Sequence, residues 1–288
     1  MPPKRPDGSP IWVFASAAFA GSILLSAAIG LAGGRDGSLI ALAPLSMIIP
    51  TMAAAIARAT TGAHFDLHVQ QLPTRWLPAA LLTFPLTIHL LAIPAVILLE
   101  GRIPWHFPPA WGTPGVTKIL FRMSRNAAVG IVIVTVMAFF EEVGWRAFFL
   151  RRMLVRYGAL RGAIMTSFLY ALWHVPYVFG GVQHVENVSG NLVALLYPVG
   201  IFGVGLFLAF LWIKTESIWI VSIAHGSLNN WGQFLFKFMQ TSGDYDPALF
   251  GLVNASLLLV GLLSIIAIHG SQSSSRAPRM NEPSVPLR

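Results

Sequence analysis

Hydrophobic residues in this chain occur in long runs, which are separated by short polar or Pro- and Gly-containing segments. Each run has about 20 residues, the length of a helix that crosses a lipid bilayer. The pattern predicts eight membrane spans, at residues 11–32, 38–58, 76–99, 126–150, 160–180, 191–213, 217–240 and 248–269. The strand-length alternation typical of outer-membrane barrels is not seen. We therefore predict an all-α, polytopic membrane bundle of about eight helices.

The spans are predicted to form one domain, residues 11–269, between two polar ends. Residues 1–10 and 270–288 contain few apolar residues, and the second of these segments is rich in Ser, Pro and Arg. Segments of this composition cannot bury enough apolar surface to fold, so both ends are expected to be disordered. The first run is too long for a typical signal peptide and is predicted to be a retained helix, with a cleaved signal as the alternative.

Composition supports the membrane assignment. Of the 288 residues, 55% are hydrophobic and only 10% are charged, whereas a soluble domain has about 25% charged residues. The net charge of +8 comes from basic residues that flank the apolar runs, so a nucleic-acid-binding surface is rejected. The absence of cysteine excludes disulfides, thiolate zinc sites, a catalytic cysteine and cysteine lipidation.

The distribution of Lys and Arg predicts the orientation. If the N-terminus is inside, the inner segments hold 12 of these residues and the outer segments hold 6. This bias favours a multi-pass protein with both termini in the cytoplasm, in the plasma or inner membrane if the source is bacterial. Four basic residues in the segment 101–125 oppose the bias. Within it, residues 117–125 are expected to form a short helix along the interface.

Three charged residues lie inside an apolar span: Glu141, Glu142 and Arg146. A charge in the bilayer costs at least about 2.5–3.5 kcal/mol, so these residues are expected to have a structural or functional role that offsets this cost. Glu142 and Arg146 are four residues apart on one helix face and are predicted to pair. Glu141 lies about 100° around the helix and would face a polar cavity or another helix. The alternative is a buried ion network that only holds helices together.

Two further spans carry buried polar residues at helical spacing. Tyr170 and His174 share a face of span five, while His225 and Asn229 share a face of span seven. The small residue Gly226 would let a neighbour approach the backbone closely. Taken singly, each pair is better explained by packing. Together with Glu141, they place an acid, two imidazoles and an amide in three spans, at depths that can converge, and this is the composition of a hydrolytic site.

These residues form three ordered motifs: Glu-Glu-x-x-x-Arg at 141–146, aromatic-x-x-x-His at 170–174 and His-x-x-x-Asn at 225–229. The pattern resembles the CPBP family of intramembrane proteases, which includes the eukaryotic CAAX prenyl endopeptidases and bacterial abortive-infection or bacteriocin-immunity proteins. The resemblance covers about residues 125–235 and implies a membrane endopeptidase. Where the family usually has Phe, this chain has Tyr170.

The resemblance implies a role for each motif residue. Glu141 would be the general base that activates a water molecule, and His174 would hold and polarise that water. His225 and Asn229 would donate hydrogen bonds to the oxyanion. The supporting residues would be Glu142, Arg146 and Tyr170. Arg146 could also receive a substrate carboxylate.

A metal-dependent version of this site is also chemically reasonable. Glu141, His174 and His225 could bind zinc and leave one position open for water. The sequence contains no His-Glu-x-x-His helix and does not require a metal, and the resemblance favours a glutamate-activated water. A second histidine pair, His64 and His68, has helical spacing for a metal site but is predicted to lie in a solvated loop.

The expected substrate is a membrane-associated or lipidated peptide, prenylated in the eukaryotic relatives, that enters from the inner side of the bilayer. The sequence indicates no nucleic-acid partner and defines no oligomeric state. Two other function classes stay open: a catalytically silent immunity or scaffold protein of the same family, and a proton-coupled transporter, since buried Glu and His also serve proton relays.

Overall fold

The computed structural model describes residues 9–64, 66–100, 115–183, 188–239 and 247–276. Every regular element within these ranges is helical. The prediction of an all-α bundle is therefore confirmed.

Eleven α-helices form the described part of the chain. They are α1 (Ser9–Leu31), α2 (Ile49–Thr61), α3 (Leu77–Thr87), α4 (Ile93–Glu100), α5 (Val116–Arg125), α6 (Ile131–Glu142), α7 (Arg151–Tyr157), α8 (Ala159–Phe179), α9 (Gly190–Thr215), α10 (Ile218–Met239) and α11 (Pro247–Arg276). Three π-helical segments, Ile88–Ala92, Asn126–Gly130 and Val143–Leu150, join consecutive α-helices without a break. Three 3₁₀ segments, Gly34–Asp36, Ser38–Ile48 and Thr74–Trp76, precede α2 or α3.

These elements give eight long helical segments within the described ranges, in the order of the predicted spans. Five of them are long and apolar enough to cross a membrane: Ser9–Leu31, Ser38–Thr61, Leu120–Tyr157, Gly190–Thr215 and Pro247–Ser271. The other three are α3 with α4, α8, and α10. We attribute the lower hydropathy of α8 and α10 to the polar motif residues that they carry.

Several predicted boundaries differ from the structure. The span predicted at 38–58 begins as a 3₁₀ helix that contains Pro44, whose missing N–H interferes with regular α-helical bonding. The separate interfacial helix expected at 117–125 is α5, but it continues through a π turn into α6. Residues 270–276, expected to be disordered, extend α11 because adding a turn to an existing helix avoids the cost of nucleation. The expected disorder of residues 1–8 and 277–288 lies outside the described residues.

The helices pack in two groups that meet at the π segment Val143–Leu150. Helix α9 lies between α8 and α11, α10 packs on α6 and α3, and α1 packs on α2 and α8. All eight residues of the π segment are buried. Val143, Ala147 and Leu150 join the core of α3, α9, α10 and α11. Trp145, Phe148 and Phe149 join the core of α1, α2 and α8. The charged motif therefore lies at the junction of both cores.

Glycine contacts bring α9 and α11 together, because small residues let helix backbones approach each other closely. A Cβ on Gly203 would overlap the Leu257 carbonyl oxygen and lie 2.5 Å from the Leu258 Cα. A Cβ on Gly251 in the same interface would have Leu196 Cδ1 as its nearest neighbour, at 3.7 Å. The two glycines share a helical setting but differ in the space around them.

We expect Gly203→Ala to destabilise the protein by about 1–3 kcal/mol, because the added methyl group would force the two helix backbones apart. Gly251→Ala is the matched control, because it gains the same helix propensity without a clash. The measurement is the melting temperature of the purified protein in detergent. Equal melting temperatures for the two variants would show that close packing at Gly203 is not needed.

Candidate active site

Helices α6, α8 and α10 bring the three motifs together inside the bundle. The side chains of Glu141, His174 and His225 are 3%, 9% and 4% exposed. Asn229 lies one turn beyond His225 and is half-buried. The acid and the imidazoles are therefore withdrawn from lipid, as residues that share one interior site must be.

The Glu142 carboxylate holds two of the three motifs together. Its Oε1 accepts a hydrogen bond of 3.0 Å from Arg146 Nη1 and one of 2.7 Å from His225 Nδ1. Glu142 and Arg146 are fully buried, so the pair expected from their spacing is present in a dry environment. The bond to His225 was not expected, because no local pattern connects α6 to α10.

Small residues allow α10 to approach α6 this closely. A Cβ on Gly226 would overlap Thr135, and a Cβ on Gly130 would overlap the side-chain oxygen of Asn230. The close approach expected at Gly226 is therefore made by the backbone and side chain of Thr135. On the opposite side, Gly144 is packed against the backbone of Pro50 in α2. These contacts fix the position of the Glu142 carboxylate.

The orientation of His174 is set by its own helix. Its Nδ1 lies 2.8 Å from the Tyr170 carbonyl oxygen. A carbonyl oxygen only accepts hydrogen bonds, so Nδ1 carries the proton. In the neutral ring, Nε2 then keeps its lone pair and can accept a hydrogen bond from water or bind a metal.

Tyr170 lies next to Arg146, His174 and Glu141. The guanidinium carbon of Arg146 lies 4.4 Å from the centre of its ring, and the His174 ring lies 4.6 Å away, edge to face. Its hydroxyl lies close enough to Glu141 to interact with that carboxyl group. A phenylalanine at this position would keep the ring contacts but would lose the interaction with Glu141.

Two tryptophans form the wall behind these residues. The Trp145 ring lies 5.5 Å from that of Tyr170 and 6.0 Å from that of Trp173. Trp173 Nε1 donates to the Ala18 carbonyl at 3.0 Å, and Ser22 Oγ donates to the Trp173 carbonyl at 2.9 Å. Helix α1 thereby anchors the C-terminal half of α8, which carries His174.

One aromatic residue of the site was not identified from the sequence. The ring of Tyr197 in α9 lies 6.1 Å from the His174 ring. The available signal was a hydroxyl-bearing side chain directly before Pro198, within an otherwise apolar run.

Unpaired buried polar atoms are concentrated at the site. The atoms without a hydrogen-bond partner within the described chain include Glu141 Oε1, Glu142 Oε2, Arg146 Nε, Arg146 Nη2 and Trp145 Nε1. Buried polar groups are nearly always paired with protein or water. The site therefore has spare hydrogen-bonding capacity for water or a substrate.

The residues closest to a metal-binding geometry are not the predicted set. One ligand atom each from Glu141, Glu142 and His225 lie within 4.8 Å of one another, and His174 is outside this group. Carboxylates and imidazoles are acceptable zinc ligands. However, Glu142 Oε1 already accepts from Arg146 and from His225 Nδ1. The adjacent guanidinium charge opposes a divalent cation at this carboxylate, although Glu142 Oε2 has no partner in the described chain, so the group as arranged does not favour a metal.

The second histidine pair has other contacts. Arg151 Nη1 donates to His68 Nε2 at 3.1 Å, and Arg152 Nη2 donates to the His64 carbonyl at 2.8 Å. A hydrogen bond from the His68 amide to Asp66 lowers the pKa of that exposed carboxyl. The loop after α2 is thereby tied to the arginine-rich end of α7, which is a structural role.

Known proteins resemble the part of the chain that carries these motifs. Residues 123–231 match the family model described as type II CAAX prenyl endopeptidase Rce1-like. CAAX prenyl protease 2 of Methanococcus maripaludis is 24% identical over 141 residues, which cover 48% of this chain and 52% of that protein. The matched region thus spans about half the length of the curated relative.

The fold and the site define an integral membrane protein of the helical-bundle class with a buried acid–imidazole centre. All three motifs lie within the matched segment. Over this segment the chain is similar to the Rce1-like family of type II CAAX prenyl endopeptidases.

We expect Arg146→Met to destabilise the protein by about 3–5 kcal/mol, because it leaves the Glu142 carboxylate buried without its guanidinium partner. The double variant Glu142→Gln/Arg146→Met should recover part of this loss. Arg161→Met, at an exposed position of α8, is the control and should change stability by at most about 0.5 kcal/mol. Thermal unfolding in detergent measures all three, and equal melting of the Arg146 and Arg161 variants would contradict the role of the pair.

Proposed function

We propose that this protein is an intramembrane endopeptidase of the CAAX type, which hydrolyses peptide bonds of membrane-associated, lipidated substrates. The observation that carries the proposal is Glu141, a buried carboxylate with one unpaired oxygen. It lies beside Tyr170 and within electrostatic range of His225. The name of the archaeal relative supports the same activity.

In the proposed reaction, Glu141 accepts a proton from a water molecule that His174 holds through Nε2. The water oxygen attacks the carbonyl carbon of the scissile peptide and forms a tetrahedral oxyanion. The C–N bond then breaks, and the leaving nitrogen takes the proton from Glu141. The products are a new carboxyl terminus and a free amine.

His225 and Asn229 are proposed to stabilise the oxyanion in this scheme. Because Glu142 engages Nδ1 of His225, Nε2 is the nitrogen that would donate to the oxyanion. This requires a ring with both protons, whose charge the Glu142 carboxylate would balance. The Asn229 amide, one turn away, would supply the second donor.

The substrate and the orientation follow from charge and burial. The arginine-rich end of α7 is proposed to face the cytoplasm, in line with the positive-inside rule. A lipid anchor would hold a short peptide at this side of the bilayer and allow it to reach the site between α6, α8 and α10. Arg146 Nε and Nη2, which have no partner in the described chain, could receive a peptide carboxylate.

The two other function classes make different demands on the fold. A catalytically silent scaffold has no use for a buried Glu141 oxygen without a hydrogen-bond partner. This chain also keeps every residue of the three motifs, except that Tyr170 stands where the family usually has Phe. A transporter would be favoured by helices that unwind at the membrane centre. The described helices contain π segments, but these continue the helical hydrogen bonding and do not expose an unwound backbone.

We expect Glu141→Gln to lower the cleavage rate by at least about 100-fold, because the amide cannot act as a base. The assay uses a quenched fluorescent peptide that ends in a prenylated cysteine and three further residues, with purified protein in detergent. Glu216→Gln, at the exposed turn between α9 and α10, is the control and should cleave like the wild type. Equal cleavage by the Glu141 variant and the wild type would refute the assignment.

Cleavage should be unaffected by removal of divalent metals, because the Arg146 guanidinium already neutralises the Glu142 carboxylate and repels a second cation there. In the same assay, 1,10-phenanthroline and its non-chelating 1,7 isomer should give rates that agree within about twofold. If only the chelating isomer inhibits and added zinc restores the rate, the site is a metal centre and the proposed mechanism is wrong.

A further inference from the structure

The polar groups of the active site continue along the interface between α6 and α10. Two more buried atoms without a partner in the described chain lie on the N-terminal side of Glu141: Thr135 Oγ1 and Asn126 Nδ2. Asn230 contacts Asn126 and Gly130 from α10, and Asn229 precedes it on the same helix. We name this set, Asn126, Thr135, Asn229 and Asn230, the polar seam.

The seam joins the active site directly. Thr135 precedes Glu142 by seven residues, which is close to two full turns, so both lie on one face of α6. Ala138, which lies between them on this face, is small and fully buried. On α10, Gly226 packs against Thr135, and its neighbour His225 bonds to Glu142.

The seam also reaches towards the far end of the span. Asn230 Nδ2 donates to the Asn126 carbonyl at 3.4 Å, and the Asn230 side chain covers Gly130. Asn126 lies 16 residues before Glu142, or roughly 24 Å along a helix. With a hydrocarbon core of about 30 Å, this places Asn126 near the membrane surface opposite the arginine-rich end of α7.

The Thr135 hydroxyl differs from most buried hydroxyl groups of this bundle. Those of Ser167, Thr215 and Ser222 each donate to the carbonyl four residues earlier, at 2.7–2.8 Å. Thr135 Oγ1, like Thr166 Oγ1 in α8, is buried and has no partner in the described chain. Thr135 shares one continuous helical segment with further unpaired polar atoms, among them Asn126 Nδ2 and Glu141 Oε1. Unpaired buried polar groups that lie together are sites for ordered water.

We propose that the polar seam is a file of bound water that connects Glu141 with the membrane surface at Asn126 and supplies the water consumed in each turnover. The supply role rests on the proposed hydrolysis, but the water file does not. The outer face of α6 offers no alternative, because Val132, Ile133 and Val136 are apolar and more than half exposed to the membrane.

Silver-ion protection of single cysteines tests the seam, since the natural chain contains no cysteine. Thr135→Cys faces the seam, and Val136→Cys is the matched control at the same depth. Asn126→Cys and Val129→Cys form a second pair near the surface. Each variant is reconstituted into liposomes, exposed to Ag⁺, denatured, and labelled with a fluorescent maleimide that reports the thiols left unblocked.

We expect Ag⁺ to block the cysteines at positions 135 and 126 at least about ten times faster than those at positions 136 and 129. Equal rates within either pair, in variants that melt within a few degrees of the wild type, would overturn the proposal.

Ag⁺ should also slow peptide cleavage by the Thr135→Cys variant and leave cleavage by the Val136→Cys variant unaffected. If the wild type cleaves no peptide, the proposed function fails while the labelling still decides the seam. If it cleaves and the thiol of the Thr135→Cys variant stays unblocked, only the seam fails.

Discussion

The structure depends on one buried carboxylate that is shared between a guanidinium group and an imidazole ring. Glu142, held by Arg146 within its own helix and by His225 from α10, is the point where the two halves of the bundle meet. Removing any of the three would leave a charge or polar group in a medium that cannot solvate it. The hydrogen bond between Glu142 and His225 fixes the register of α6 against α10. It therefore also fixes the position of the neighbouring Glu141 side chain in the site.

The backbone around this carboxylate is shaped to accept it. The π segment after Glu142 is wider than an α-helix, and its consecutive residues are distributed over both hydrophobic cores. Glycines at 130, 144 and 226 remove the side chains that would keep the neighbouring helices apart. π-Helical insertions are rare and are often found at functional sites. Here the insertion follows directly on the two glutamates.

The sequence allowed the local features to be predicted, because helical periodicity determines them. The spans, the Glu142–Arg146 pair and the close approach at Gly226 all follow from spacing along one helix. The bond between His225 and Glu142, the position of Tyr197 and the exclusion of His174 from the carboxylate group depend on how separate helices are rotated, which no local pattern encodes. The three π segments were missed because a hydropathy pattern does not distinguish π from α geometry.

Two adjacent glutamates can serve different purposes because one residue turns a helix by about 100°. Because of that rotation, Glu142 points towards Arg146 and His225, whereas Glu141 lies beside the Tyr170 hydroxyl and keeps one oxygen without a partner in the described chain. A base in this position is useful only if water reaches it, and the lipid-facing side of α6 is apolar. We propose that water enters at the contact with α10, because that interface contains small residues and polar amide side chains. The same pair of helices therefore provides the close packing, the buried ion pair and the proposed route for water. A substitution that fills the space between α6 and α10 would stabilise their packing, but it would also restrict the water that the proposed hydrolysis needs.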